Sequence, residues 1–244
     1  MPVGLDGNPD PVVTAARTSV LDAVADQVAR HRGARVLVGV DGRSGSGKST
    51  FADELGRTLQ ARGHAVVRST TDLFHRPRHE QMRRGASSPE GYVADSHQLE
   101  VIAAALLEPF RSGAPTVLVG AFDEPSDSAR PIEALVPERA VLLFDGLFVH
   151  RAELRSYWDE SVVLHADRRA DAAWLGYLER DLPEEPTERA AELDRRLERA
   201  RWPRYRHGWA RYVEAVGPLP SAIHVDNEDV AAPAITPPAE AARP

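Results

Sequence analysis

Apolar positions along the chain alternate between two spacings. Behind Thr14, which is placed to cap a helix, Val20, Leu21, Val24 and Val28 mark one helical face. Arg35–Val40 (RVLVGV) is a short apolar run of the kind that forms a buried parallel strand. A glycine-rich turn follows, and Phe51, Leu55 and Leu59 then repeat at helical spacing. Ala65–Val67 reads as a second strand, ending near Asp72. Residues 71–95 show no sustained period and read as one long irregular segment, which is usually functional or disordered.

Beyond it, Leu99, Ile102, Ala103, Leu106, Leu107 and Phe110 predict an amphipathic helix. Strand-like runs follow at Thr116–Val119, Val141–Phe144 and Val162–Leu164, with helical patterns over Arg169–Leu178 and over 187–215, broken at Pro203. Ile223–Val225 reads as a last strand. Strands alternating with helices predict an α/β fold, a parallel sheet flanked by helices. It is expected to occupy residues 13–230, between a flexible N-terminus (1–12) and a disordered Pro/Ala-rich tail (231–244).

Composition narrows the chemistry. The 244 residues contain no cysteine, which excludes disulfide scaffolds and cysteine-ligated metal or redox centres. A formal charge of −7 argues against a nucleic-acid coat protein. The best apolar run, Val101–Leu107, is far too short to cross a bilayer, and Met1–Val12 lacks the features of a signal peptide. A cytoplasmic protein with no membrane partner is expected. Of the 30 basic residues, Lys48 alone is lysine, so it is the first place to look for chemistry that arginine cannot do.

Lys48 lies in Gly42-Arg-Ser-Gly-Ser-Gly47-Lys48-Ser49, which fits G-x-x-x-x-G-K-[ST] between a predicted strand and a predicted helix. In such a loop successive N–H groups turn toward phosphate oxygens, and the helix N-terminus adds positive potential. A compact ammonium reaches between the β- and γ-phosphates where a planar guanidinium would not fit. Gly42, Ser44, Gly45, Ser46, Gly47, Lys48, Ser49 and Thr50 are therefore the expected nucleoside-triphosphate-binding residues, with the Ser49 hydroxyl offered to Mg2+.

Two carboxylates end strand-like runs. Asp145 closes Val-Leu-Leu-Phe-Asp, the shape of a strand that holds Mg2+ beside a phosphate loop; it could also cap the turn at Gly146. Asp72 stands where a general base for an attacking hydroxyl would stand, although many aspartates terminate strands.

Together these features resemble the uridine kinase-like group of P-loop kinases, whose relatives include phosphoribulokinase and bacterial pantothenate kinase. The resemblance spans about Arg35 to Asn227. It is carried by GVDGRSGSGKST (39–50), Asp72-Leu-Phe-His75, Gly91-Tyr-Val-Ala-Asp95-Ser, Asp145-Gly146, Arg180-Asp181 and His224-Val-Asp-Asn227. It implies a P-loop fold with a helical lid, and an enzyme that transfers the γ-phosphoryl of ATP, with Mg2+, to a small-molecule hydroxyl. The acceptor it implies is a nucleoside; pantothenate, a sugar-like alcohol, or a nucleotide-hydrolysing switch with no phosphorylated product are the alternatives.

By the same resemblance Asp72 is the catalytic base, Arg180 supports the lid, and Asp95 holds acceptor hydroxyls. Phe74, His75 and Tyr92, from the same markers, join it in the acceptor site. Asp95 or Ser96 could instead cap the helix beginning near His97. The chain departs from the group at Phe122 and Asp127, which stand where a Tyr and a His usually read the pyrimidine. Gly176-Tyr177 replaces the customary arginine pair before Arg180-Asp181, and Asp145-Gly146 replaces Glu-Gly.

Between Arg195 and Arg211 lie seven arginines and one glutamate. Arg195, Arg199, Arg201, Arg204 and Arg206 could close over phosphates or form a solvated face. Trp202, Tyr205, Trp209 and Tyr212 fall at helical spacing and are expected to face the core. His75 and His79 are not expected to share a metal, because Pro77 between them breaks helical spacing. A single lysine, already used in the loop, cannot supply the N-K-x-D of a GTPase, and the L-S-G-G-Q of transporter ATPases is missing. No nucleic-acid partner is expected, and homo-oligomerisation is left open.

Overall fold

The computed structural model describes residues 14–199 and 202–237; the expected flexible segment 1–12 lies outside them, as does the end of the tail. Helix α1 (Ala15–Arg30) opens at Thr14, whose hydroxyl accepts from the Arg17 N–H. Strand β1 (Arg35–Gly42) leads through the glycine-rich turn into α2 (Lys48–Ala61), followed by β2 (Val66–Thr70).

The segment expected to be irregular is instead built from short ordered pieces: a 3-10 turn (Thr71–Phe74), α3 (Arg78–Gln81) and α4 (Pro89–Asp95). Two local devices order it. Ser88 caps α4 by accepting from the Gly91 N–H at 3.0 Å, with Pro89 already set for the first helical turn. The fully buried Arg204 donates to the carbonyls of Gln81, Gly85 and Ser88. These pieces are too short for a hydrophobic period to register.

The amphipathic helix appears as one run, α5 (Leu99–Val101), a π-wound stretch (Ile102–Leu107) and α6 (Glu108–Arg111). A hairpin of β3 (Thr116–Asp123) and β4 (Ser128–Leu135) follows, then β5 (Ala140–Gly146), β6 (Glu160–His165) and α7 (Asp167–Leu178). Helices α8 (Pro186–Arg199) and α9 (Trp202–Val216) precede β7 (Ile223–Asp226) and β8 (Ala234–Thr236).

The main sheet has the order β2-β5-β1-β6-β7-β8, parallel except for β8. Strand β8 corrects the expectation of a disordered tail from 231: Ile235 pairs with Val225, so backbone hydrogen bonding orders a stretch whose composition gave no strand signal. The sheet is buried on both faces. Val36, Val38 and Val40 pack with Val24, Val28, Phe51, Leu55 and Leu59. Leu37, Leu142 and Phe144 pack on the other side with Ile102, Leu106 and Phe110. Each such side chain contributes about 1.5–3 kcal/mol by leaving water. Because the five parallel strands run in one direction, the ends of β1, β2 and β5 meet at one edge, where Thr70 and Val40 flank Asp145. No helix among the described residues is long and apolar enough to cross a membrane.

Candidate active site

The loop between β1 and α2 is shaped from within and braced from behind. Gly47 caps α2 with φ +87°, a left-handed conformation that disfavours any side chain. A Cβ there would also lie 2.5 Å from an Arg169 nitrogen and 3.1 Å from Asn227 Nδ2. Those two residues hold the loop: Asn227 Nδ2 and Arg169 NH1 both donate to the Ser46 carbonyl, at 2.8 and 3.0 Å. Asn227 Oδ1 in turn accepts from Arg17, which pairs with Glu54. Asn227, which ends the His224-Val-Asp-Asn227 marker, is thus a brace for the loop.

Lys48 is buried, and its ammonium donates to the Arg43 carbonyl at 2.9 Å, across the loop. Burial lowers its pKa, against the pull of Asp72, Asp145 and Asp41. Ser49 Oγ donates to Asp145 Oδ2 at 2.8 Å, and Arg68 donates to Asp145 Oδ1 at 2.9 Å. Hard oxygen donors from Ser49 and Asp145, at the end of a phosphate loop, fit Mg2+ in chemistry and position. Gly146 is needed at the next position, since a Cβ there would fall 2.0 Å from Thr71 Oγ1. Thr50 lies in the first turn of α2.

Asp72 sits in the 3-10 turn that follows β2, two residues beyond the neighbour of Asp145 in the sheet. Desolvation by the surrounding protein raises its pKa, only partly offset by His75 and Lys48, although the carboxyl itself opens to solvent. A carboxylate with a raised pKa is a better proton acceptor near neutrality. His75 Nε2 stands 3.9 Å from Asp72 Oδ1 and 3.6 Å from Glu124 Oε2.

A cleft of about 520 Å³ opens between the loop and the helices α7 and α9. Ser44 and Gly45 form one wall; Tyr92, Trp174, Tyr205 and Trp209 bring four aromatic rings to it, with Glu124 and Arg180 among the polar groups. Among the expected residues, Ser44, Gly45, Tyr92 and Arg180 therefore meet here. Tyr205 and Trp209 pack against the buried Tyr92, Phe148 and Tyr212 as expected and also reach the cleft, whereas Tyr212 is buried and bonds Asp41 and the His150 N–H.

Four expected acceptor residues lie elsewhere. Phe74 is fully buried against Phe144. Phe122 is buried on β3. Asp127 is exposed in the β3–β4 turn, accepting from the Arg78 N–H at 2.8 Å. Asp95 has no solvent exposure: one oxygen pairs with Arg83 and the other accepts from Arg84 at 2.8 Å. Burial works to raise its pKa, but the two guanidiniums outweigh it and hold the carboxyl below its ordinary value. In this arrangement Asp95 ties Arg83 and Arg84 together, and Gln98 stands at the N-cap of the next helix.

The arginine segment is mostly structural. Arg195 and Arg196 pair with Glu192, and Arg196 also donates to the Leu178 carbonyl, joining α8 to the end of α7. Arg204 is buried against the 81–88 backbone and so does not close over phosphates. Arg206 is exposed; Arg201 and the Arg199 side chain lie outside the described part. Arg43, passed over in the sequence, ties the loop to α7 through Asp171. Its variable place within the motif carried no signal.

A strand running into a glycine-rich loop, an acidic strand end beside it, and a cleft between that loop and helices α7 and α9 make an α/β fold of the kind seen in P-loop kinases. The comparisons agree. No protein-family profile and no curated protein matches the chain. Solved structures do. A candidate fructose transport system kinase from Silicibacter superposes with a TM-score of 0.64 at 22% identity, covering 84% of this chain and 97% of its own. A possible uridine kinase from Bacillus stearothermophilus gives 0.60 at 20% identity, covering 81% and 91%. D-glycerate 3-kinase from Cryptococcus neoformans gives 0.55 at 13% identity, covering 92% and 100%.

Proposed function

We propose that this protein is an ATP-dependent kinase that phosphorylates a hydroxyl of a small molecule, most readily a nucleoside. The observation that carries the reading is the cleft, which joins the phosphate loop to an aromatic wall of Tyr92, Trp174, Tyr205 and Trp209. Stacking of a planar base on such a ring is worth about 1–3 kcal/mol.

In this reading the amides of 45–49 and Lys48 hold the phosphates. Ser49 and Asp145 would hold Mg2+, which supplies charge neutralisation between the β- and γ-phosphates. Asp72 accepts the proton of the attacking hydroxyl, its raised pKa suiting that task. Arg180, at the cleft wall, offsets charge on the transferred group. Glu124 accepts hydrogen bonds from acceptor hydroxyls, the part first expected of Asp95.

A second reading, a kinase for a sugar-like or hydroxy-acid alcohol, is favoured by one observation: the two pyrimidine-reading positions, Phe122 and Asp127, do not line the cleft. The solved structures similar in fold include a protein described as a fructose transport system kinase and a D-glycerate kinase. Incubation with Mg-ATP and a panel of nucleosides, sugars, hydroxy acids and pantothenate, read by mass, tests both. A nucleoside monophosphate supports the first reading and a phosphorylated sugar or acid the second. ATP hydrolysis with no phosphorylated compound contradicts both and indicates a nucleotide switch.

A further inference from the structure

The polypeptide around Asp72 carries a second constellation, which shares that one carboxylate with the chemistry above and adds two histidines. His75 and His97 face each other across a short antiparallel bridge, their ring centroids 4.7 Å apart. The bridge is pinned at several points: Arg76 N–H donates to the Ser96 carbonyl at 2.9 Å, Gln98 N–H to the Phe74 carbonyl at 2.8 Å, and the Gln98 side chain to the His75 carbonyl at 2.7 Å. These bonds fix the backbones of both histidines before any ligand arrives.

The donor atoms then converge. One donor atom each from Asp72, His75 and His97 lies within 4.8 Å of the others, the single such group of three among the described residues. His75 Nδ1 lies 3.3 Å from the Ser96 carbonyl oxygen, so a proton on Nδ1 leaves the Nε2 lone pair on the side of Asp72 and Glu124. A metal-binding imidazole characteristically donates its far N–H to a backbone carbonyl in this way. His97 gives an independent indication. It is 2% exposed, and its Nε2 is buried with no hydrogen-bond partner. A buried polar atom left unpaired costs about 1–3 kcal/mol, which a bound ion would remove.

We propose that Asp72, His75 and His97 form a site for one divalent transition-metal ion of the zinc class. Two imidazoles and a carboxylate suit Zn2+ or Co2+ and not Mg2+, which prefers an all-oxygen shell. Three protein donors leave a position for water or another oxygen ligand, and Glu124 Oε2 lies 3.6 Å from His75 Nε2, within reach of that position. The site is separate from Ser49 and Asp145 and does not depend on phosphoryl transfer, although it shares Asp72 with the kinase reading. An ion held there engages the lone pair with which Asp72 would take up a proton.

The test uses the full chain without nucleotide. ZnCl2 is titrated calorimetrically, and CoCl2 by visible absorption, into the wild type, His75→Gln and His97→Phe, with folding checked by circular dichroism. Phenylalanine suits the interior of the second variant, where Phe148 already packs edge-on to the ring of residue 97. One ion per chain in the wild type, at least about tenfold weaker binding in each variant, and no displacement by excess MgCl2 are expected. Equal affinity in all three proteins, or displacement by Mg2+, overturns the site. Should a variant fail to fold, imidazole ¹⁵N shifts of the wild type decide: zinc must move Nε2 of both His75 and His97. Shifts confined to the exposed His79 and His207 overturn it. Loss of kinase activity alone leaves these readouts unchanged, so the two readings fail separately.

Discussion

Ser49 donates its hydroxyl hydrogen bond to Asp145 over 2.8 Å, joining the first turn of α2 to the end of β5. The other oxygen of this buried carboxylate accepts from Arg68, which balances its charge. Removing the charge by Asp145→Asn should raise the Mg2+ needed for half-maximal turnover by about 10- to 100-fold, the scale for groups that hold or orient a metal. Turnover measured against Mg2+ concentration checks this; an unchanged Mg2+ requirement would reduce Asp145 to a turn residue.

Lys48→Arg should keep the fold and lose turnover by at least about 100-fold. A guanidinium keeps the charge, but it is planar and too wide for the space from which the ammonium reaches the Arg43 carbonyl. Steady-state kinetics with calorimetric ATP titration separate the two effects. Normal binding and turnover in this variant would make the single lysine an accident of composition.

Asp72→Asn should bind ATP as the wild type does and turn over at least about 100-fold more slowly, the usual scale for a general base. Single-turnover rates with saturating acceptor read it directly. Near-normal rates would remove Asp72 from the mechanism.

Asp95 tests the tie to Arg83 and Arg84. Its carboxyl pKa is held below the unfolded value by Arg83 and Arg84, so the unfolded state binds the proton more readily. The tie therefore contributes stability above the ordinary carboxylate pKa, and that contribution is lost as pH falls through the depressed folded value. Asp95→Asn should destabilise the protein by about 1–2 kcal/mol near pH 7, with both arginines more than half exposed and partly screened, and by little in strong acid. Urea unfolding at the two pH values measures the difference. An equal loss at both would mean that the carboxylate charge is not what matters.

What the sequence revealed follows from locality. β1, the loop and α2 declare themselves because an apolar run, a glycine pattern and a four-residue repeat all fall within one stretch of chain. Asp145 and Asp72 are visible for the same reason, each closing a short run. Strand β4 (SARPIEAL) is not, because most of its side chains face solvent and it alternates too weakly, with Pro131 in its middle. Tyr205 and Trp209 show helical spacing in either case; only the placement of α9 over the loop turns part of that face into a cleft wall. Asp95 carries a recognisable motif, yet its partners Arg83 and Arg84 are chosen by the way the chain folds back between them. His97 gave no signal at all, because its meaning depends on the bridge to His75.

The account rests on transfer to an acceptor, and the direct measurement is stoichiometry. With Mg-ATP and the best acceptor from the panel, ADP release should depend on the acceptor and match phosphorylated product one for one. ADP released at the same rate without acceptor, with no phosphorylated product, would contradict it.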